Sequence, residues 1–235
     1  MNLARAQKQD EAEAVVRPSR YEYRVTFGPQ SQPRRQVYFS RKEVTHLAIA
    51  GLLIIAVGIS SVYYGLTFPN VSSATSALAF TVILMISFFT HEIAHKIMAQ
   101  RRDLWAEFRL TLWGSLITLI FTFLPIKFIS PGAVMIAGPA GRKEIGEISI
   151  AGPIVNITLS VLLLGIAPAT GLLSPILLFG GFFNGYMAAF NLVPFGILDG
   201  RKIFTWSKIV WGLAFTASVA LTLVGYLSVA PVLQA

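Results

Sequence analysis

Long apolar runs separated by short basic clusters dominate the pattern of this chain. A helix needs roughly 20 predominantly apolar residues to cross a bilayer. Such windows fall at 47–68, 77–98, 148–166, 172–193 and 209–229. A sixth apolar stretch, 110–128, is interrupted near its end by Pro125 and Lys127. Arg41 and Lys42, Arg101 and Arg102, Arg142 and Lys143, and Arg201 and Lys202 all abut apolar segments. Basic residues gather in cytoplasmic loops, so the N-terminus is expected inside, the first span leading out and the second back. The clusters at Arg101 and Arg142 then lie on one side, with only 110–128 between them. That stretch is expected to be re-entrant rather than spanning, with its irregular backbone lined by protein or a water-filled cavity.

The segments between spans carry weaker patterns. Residues 1–18 are polar and expected to be disordered or loosely attached. Residues 21–27 alternate apolar and polar as a half-buried strand does, and 36–39 can pair with them as a small hairpin. Residues 1–43 are thus expected to form a cytoplasmic N-terminal segment, and 44–235 a membrane-embedded domain with its core at 77–202. No cleavable signal peptide is recognisable, which makes 47–68 an uncleaved first span. Residues 133–136 and 144–149 look like short strands around Gly138, Pro139 and Gly141. They suit either edge addition of an extended peptide or a plain connecting hairpin. Trp206 and Trp211 with Lys208 resemble an interfacial belt. The expected fold is an all-α polytopic membrane protein of five to six transmembrane helices, with a re-entrant element and small β-hairpins on the cytoplasmic side.

Composition agrees with a membrane class: 54% of the 235 residues are hydrophobic and 13% charged. The net charge of +8 would suit nucleic acid, but its placement beside apolar segments is the positive-inside pattern. Nucleic acid is therefore not expected as a partner; the lipid bilayer is. Cysteine is absent, which removes disulfides and thiolate ligands.

The chemistry concentrates at the end of the second span, in His91-Glu92-Ile93-Ala94-His95. Imidazoles at i and i+4 share one helix face and can share a metal ion, while the intervening carboxylate handles a water proton. Intramembrane ionisable groups are costly and usually functional. At 1.5 Å per residue, the ten residues from Arg101 back to His91 put the site roughly 15 Å deep. A catalytic zinc takes a third protein ligand. His46, beside Arg41 and Lys42, reads as an ordinary interfacial residue. Asp199 is the candidate, after a segment that Pro194 and Gly196 can loosen, with Gly200 allowing close backbone approach. The alternative is a helix-end carboxylate paired with Arg201 or Lys202.

His91-Glu92-x-x-His95, Gly152-Pro153-x-x-Asn156 and Asn191-x-x-Pro194-x-x-x-x-Asp199-Gly200, in that order, resemble the site-2 protease family of intramembrane zinc metalloproteases. The resemblance covers 77–202 and suggests a short prokaryotic or archaeal-type member, no segment being long enough for PDZ or CBS domains. It implies Zn2+ held by His91, His95 and Asp199, with Glu92 as general base. Asn156 becomes a candidate oxyanion donor, or else a hydrogen-bonded residue between helices. Asn191 becomes a candidate for binding unfolded substrate backbone, and Gly152-Pro153 reads as a helix start. The loop reads Asp199-Gly200-Arg201 where many members carry a second glycine before the arginine. The implied function is hydrolysis of peptide bonds within transmembrane helices of single-span substrates, in the cell membrane of a prokaryote. The competing readings are a metal transporter or channel, and an inactive relative that binds membrane partners; natural substrate and oligomeric state are not readable.

Overall fold

The computed structural model describes residues 37–233. The candidate hairpin at 21–27 therefore lies outside the described residues, while 37–40 precede the first helix without forming a strand. In chain order the elements are α1 (Arg41–Tyr63), α2 (Ser73–Gln100), β1 (Trp105–Leu110), α3 (Leu112–Thr122), β2 (Gly132–Ala137), α4 (Arg142–Ile166), α5 (Ser174–Asn191), α6 (Asp199–Trp206) and α7 (Lys208–Leu233). Two short 3-10 turns, Ala167–Ala169 and Gly171–Leu173, join α4 to α5.

Among the described residues, five helical stretches are long and apolar enough to cross a membrane. They coincide with the five expected windows, and with the small sheet they make an all-α polytopic membrane protein. The first two open on serine caps. Ser40 accepts from the Glu43 N–H at the start of α1, and Ser72 from the Thr75 N–H at the start of α2. Glycines let the helices approach closely. A side chain at Gly58 would collide with Thr81 of α2, one at Gly181 with Leu164 of α4, and one at Gly225 with Phe182 of α5. Phe68, Phe80, Phe88, Phe108, Phe179 and Phe183 fill the core between these contacts.

The sixth apolar stretch folds back on itself. α3 has 11 residues, which at 1.5 Å each is about 16 Å, half a bilayer. The strands flanking it pair antiparallel, Trp105 opposite Ala137 and Leu110 opposite Gly132, so the chain leaves at the level where it entered. The Leu110 N–H reaches His46 near the start of α1, whereas Lys127 beyond α3 reaches Ser60 near its end. Those two α1 residues are 14 apart, or about 21 Å along the helix. At the tip Lys127 lies 4.4 Å from the centre of the Tyr64 ring, and the Tyr64 hydroxyl donates to the Phe123 carbonyl. The expected re-entrant element is therefore present, with α1 as its track.

Two local expectations are overturned. Residues 144–149 are helix, not strand: they lie in α4, whose start is secured by Glu144 accepting from the Gly141 N–H at 2.5 Å. The partner of 133–136 is instead Trp105–Leu110, across α3. Gly152-Pro153 is not a helix start either, because both residues lie inside α4, where Pro153 leaves one helical hydrogen bond unmade. Trp206 and Trp211 are half-buried; Trp206 packs on Gly146 and the Trp211 ring N–H donates to the Leu192 carbonyl at 2.7 Å. They brace α6 and α7 against α4 and α5.

Candidate metal centre

α2 carries His91 and His95 one turn apart, both buried. α5 ends at Asn191, and the chain turns through Gly196 (φ +62°) to begin α6 at Asp199. α6 can sit this close only because residue 200 is glycine, since a side chain there would collide with the Leu192 and Val193 carbonyls. The His91 and His95 Nε2 atoms are 3.1 Å apart, and Asp199 Oδ2 lies 3.4 Å from the first and 2.8 Å from the second. The other Asp199 oxygen accepts from Lys202 at 3.0 Å. One Asp199 oxygen thus faces the two imidazoles and the other pairs with Lys202.

Hydrogen bonds behind the rings decide which nitrogens face the site. His95 Nδ1 lies 2.9 Å from the Ile148 carbonyl, which can only accept, so Nδ1 carries the proton and Nε2 presents its lone pair. His91 Nδ1 lies 2.5 Å from Asn156 Oδ1. Asn156 is oriented by its other contacts: its NH2 donates to the Ser87 carbonyl at 3.1 Å and to Asn184 Oδ1 at 2.8 Å. Asn184 in turn is fixed by donating its own NH2 to the Gly180 carbonyl at 2.9 Å. The Asn156 oxygen therefore faces His91, whose Nδ1 must be the donor, leaving Nε2 as acceptor. With both rings neutral, three acceptor atoms converge in a buried space, an arrangement that repels itself unless a metal ion or a proton sits among them.

The donor set fits a tetrahedral metal ion. Bonds of about 2.0–2.1 Å at a tetrahedral angle place neighbouring ligand atoms about 3.3 Å apart, and the three separations bracket that value. Among the described residues these three form the group of His and carboxylate side chains able to share an ion. Gly152 backs them: a side chain there would collide with both Nε2 atoms.

Glu92 is buried beside His91 and accepts from the Val134 N–H of β2 at 3.1 Å. Asn191 donates to the Met187 carbonyl at 3.0 Å and lines a groove with Phe128, Phe183, Tyr186 and Phe190. The structure thus brings together His91, His95, Asp199 and Asn156, with Glu92 in the adjoining wall. Both N–H bonds of Asn156 are already engaged, so it has none left to offer an oxyanion. Sequence reasoning missed Asn184, whose polar side chain within an apolar window was the available signal.

Over 198 residues the chain is 32% identical to the "Putative zinc metalloprotease MJ0611" of Methanocaldococcus jannaschii, covering 80% of this chain and 94% of that protein. The chain belongs to that metalloprotease family. Membership accords with the buried His-His-Asp group and with the five long apolar helices that carry it. No protein-family model matches the metalloprotease chain, and no solved structure does.

Proposed function

We propose that this metalloprotease is an intramembrane zinc endopeptidase of the site-2 protease type, cleaving peptide bonds within the transmembrane helices of single-span proteins. The observation that carries the reading is the depth of the site. His91 and His95 lie inside a spanning helix, Asp199 folds in from the turn after another, and all three are buried. His91, His95 and Asp199 hold the zinc. When bound, zinc acts as a Lewis acid that acidifies water and polarises a carbonyl.

The protein's own groups do the rest. Glu92 takes a proton from the attacking water as the new carbon–oxygen bond forms. It returns that proton to the amide nitrogen as the carbon–nitrogen bond breaks. Asn156 keeps His91 in the ligating tautomer, a better use of its geometry than donation to an oxyanion. Asn191 remains the candidate for holding unwound substrate backbone beside the groove. A substrate helix must unwind before attack, because its amides are otherwise engaged. The outer edge of β2, whose Val134 N–H meets Glu92, suits an unwound strand. The N-terminus is read as cytoplasmic and the membrane as the cell membrane of a prokaryote, in keeping with the basic clusters. The transport alternative calls for further donors along a path, and among the described residues no second such group accompanies His91, His95 and Asp199.

The test is incubation of purified protein with a single-span substrate, with and without a chelator, alongside Glu92→Gln. Chelation should abolish cleavage and added zinc restore it. Cleavage that survives either the chelator or the substitution overturns the reading.

A further inference from the structure

Among the described residues, Glu43 and Lys96 are withdrawn from solvent as completely as any charged pair, at 0% and 1% exposure. The proposed chemistry uses neither. Glu43 stands in the first turn of α1 and Lys96 on α2, with Glu43 Oε2 2.6 Å from Lys96 Nζ. A buried pair of this kind is seldom more stabilising than apolar side chains of the same volume, so its value must lie in what it holds.

What it holds is β1. Glu43 Oε1 accepts from the Phe108 N–H at 2.9 Å, and Lys96 Nζ donates to the Ala106 carbonyl at 3.2 Å. One turn along α1 His46 accepts from the Leu110 N–H at 3.2 Å, and one turn along α2 Gln100 donates to the Ala106 carbonyl at 3.2 Å. Residues 106, 108 and 110 alternate, so these are the groups β1 turns away from β2. Phe108 faces Val134, and both send their N–H outward, one to Glu43 and the other to Glu92. Side chains of α1 and α2 thus stand in for a third strand. A slip of β1 by one residue would present the wrong groups to Glu43 and Lys96, and through the ladder would take Val134 away from Glu92.

We propose that Glu43 and Lys96 are positioning residues, a buried charge clamp that sets the depth and register of the re-entrant sheet so that β2 meets Glu92 in the working geometry. The inference rests on the peptidase reading for its functional consequence, but not for its structural one.

The experiment compares Glu43→Gln, Lys96→Gln and the double variant in full-length protein reconstituted in lipid. Each single variant strands one buried charge. In the double variant two neutral amides replace the ion pair and can keep its hydrogen bonds. The amide oxygen at position 43 can accept from the Phe108 N–H, and its NH2 can donate to the amide oxygen at position 96. The NH2 at position 96 can then donate to the Ala106 carbonyl. The native chain has no cysteine, so spin labels at Trp113→Cys on α3 and Leu162→Cys on α4, both exposed, report where the re-entrant element sits. The single variants should broaden the distance distribution and lower kcat/KM by up to about 100-fold, as a small misplacement can. Zinc affinity, read by chelator competition, should change far less than the roughly 10- to 100-fold that follows loss of a ligand-bracing residue. The double variant should regain the narrow distribution and come within about threefold of wild-type kcat/KM, as a pair acting as a unit does. Single variants with a native distribution overturn the proposal. So does zinc loss in step with activity, or a double variant that is unfolded or no better than the singles. Should wild-type protein cleave no substrate, the peptidase reading fails while the distance distributions still decide the clamp.

Discussion

The two edges of the β1–β2 sheet face opposite circumstances. Along β1, Glu43, His46, Lys96 and Gln100 occupy the outward groups of Ala106, Phe108 and Leu110. Along β2, the outward N–H of Val134 meets Glu92, a side chain of the candidate site. Exposed strand edges invite pairing with other chains, and proteins usually blunt them. Here one edge is closed with charged and amide side chains and the other is left beside the metal centre. The contrast separates two jobs within one small sheet: the closed edge fixes position, and the open edge faces chemistry.

Substitutions at the two edges should therefore fail in different ways. The largest effect belongs to Glu92→Gln, which should lower peptide-bond hydrolysis by about 10²- to 10⁴-fold. Its zinc content should stay at the wild-type level by metal analysis. Asn156→Leu, which touches neither edge, should weaken zinc binding about 10- to 100-fold while leaving the sheet where it is. Chelator competition together with the spin-label pair separates those two quantities. Val134→Pro removes an outward N–H without costing a ladder bond, a change that edge strands tolerate. It should reduce kcat/KM by about tenfold through misplacement of Glu92, and cost about 1–3 kcal/mol of stability because the buried Glu92 carboxyl loses its N–H donor. His46→Leu on the closed edge leaves the Leu110 N–H without its acceptor and should cost about 1–3 kcal/mol of stability, with a smaller fall in kcat/KM than Glu43→Gln because Glu43 and Lys96 still hold Phe108 and Ala106. The smallest effect is expected for Arg102→Ala. Its pair with Glu147 is part-exposed and 2.5 Å long, and its loss should change stability by less than about 1 kcal/mol.

Much of this arrangement is legible in the residues. The spans are readable because a bilayer demands long apolar windows, and re-entry of 110–128 follows from the parity of Arg101, Arg102, Arg142 and Lys143. Convergence of His91 and His95 follows from helical spacing alone, whereas spacing leaves Asp199 open between ligand and helix-end ion pair and the family resemblance singles it out. The 144–149 stretch alternates like a strand, but the Glu144 cap on Gly141 commits it to helix. Gly152-Pro153 carries a helix-start signal, yet it sits mid-helix because Gly152 must clear two imidazoles. Neither the pairing of Trp105 with Ala137 nor that of Glu43 with Lys96 leaves a local periodic trace, since each joins residues far apart in the chain. Those contacts are decided by tertiary packing.

The most direct test of the central claim is to map the bond that is cut. A single-span substrate, reconstituted with the zinc-loaded protein, is digested and its fragments are identified by mass spectrometry, with Glu92→Gln in parallel. Cleavage within the apolar span of the substrate, absent from the Glu92→Gln digest, is the predicted result. Cleavage confined to the substrate's polar flanks, or the same fragments from Glu92→Gln, would contradict it.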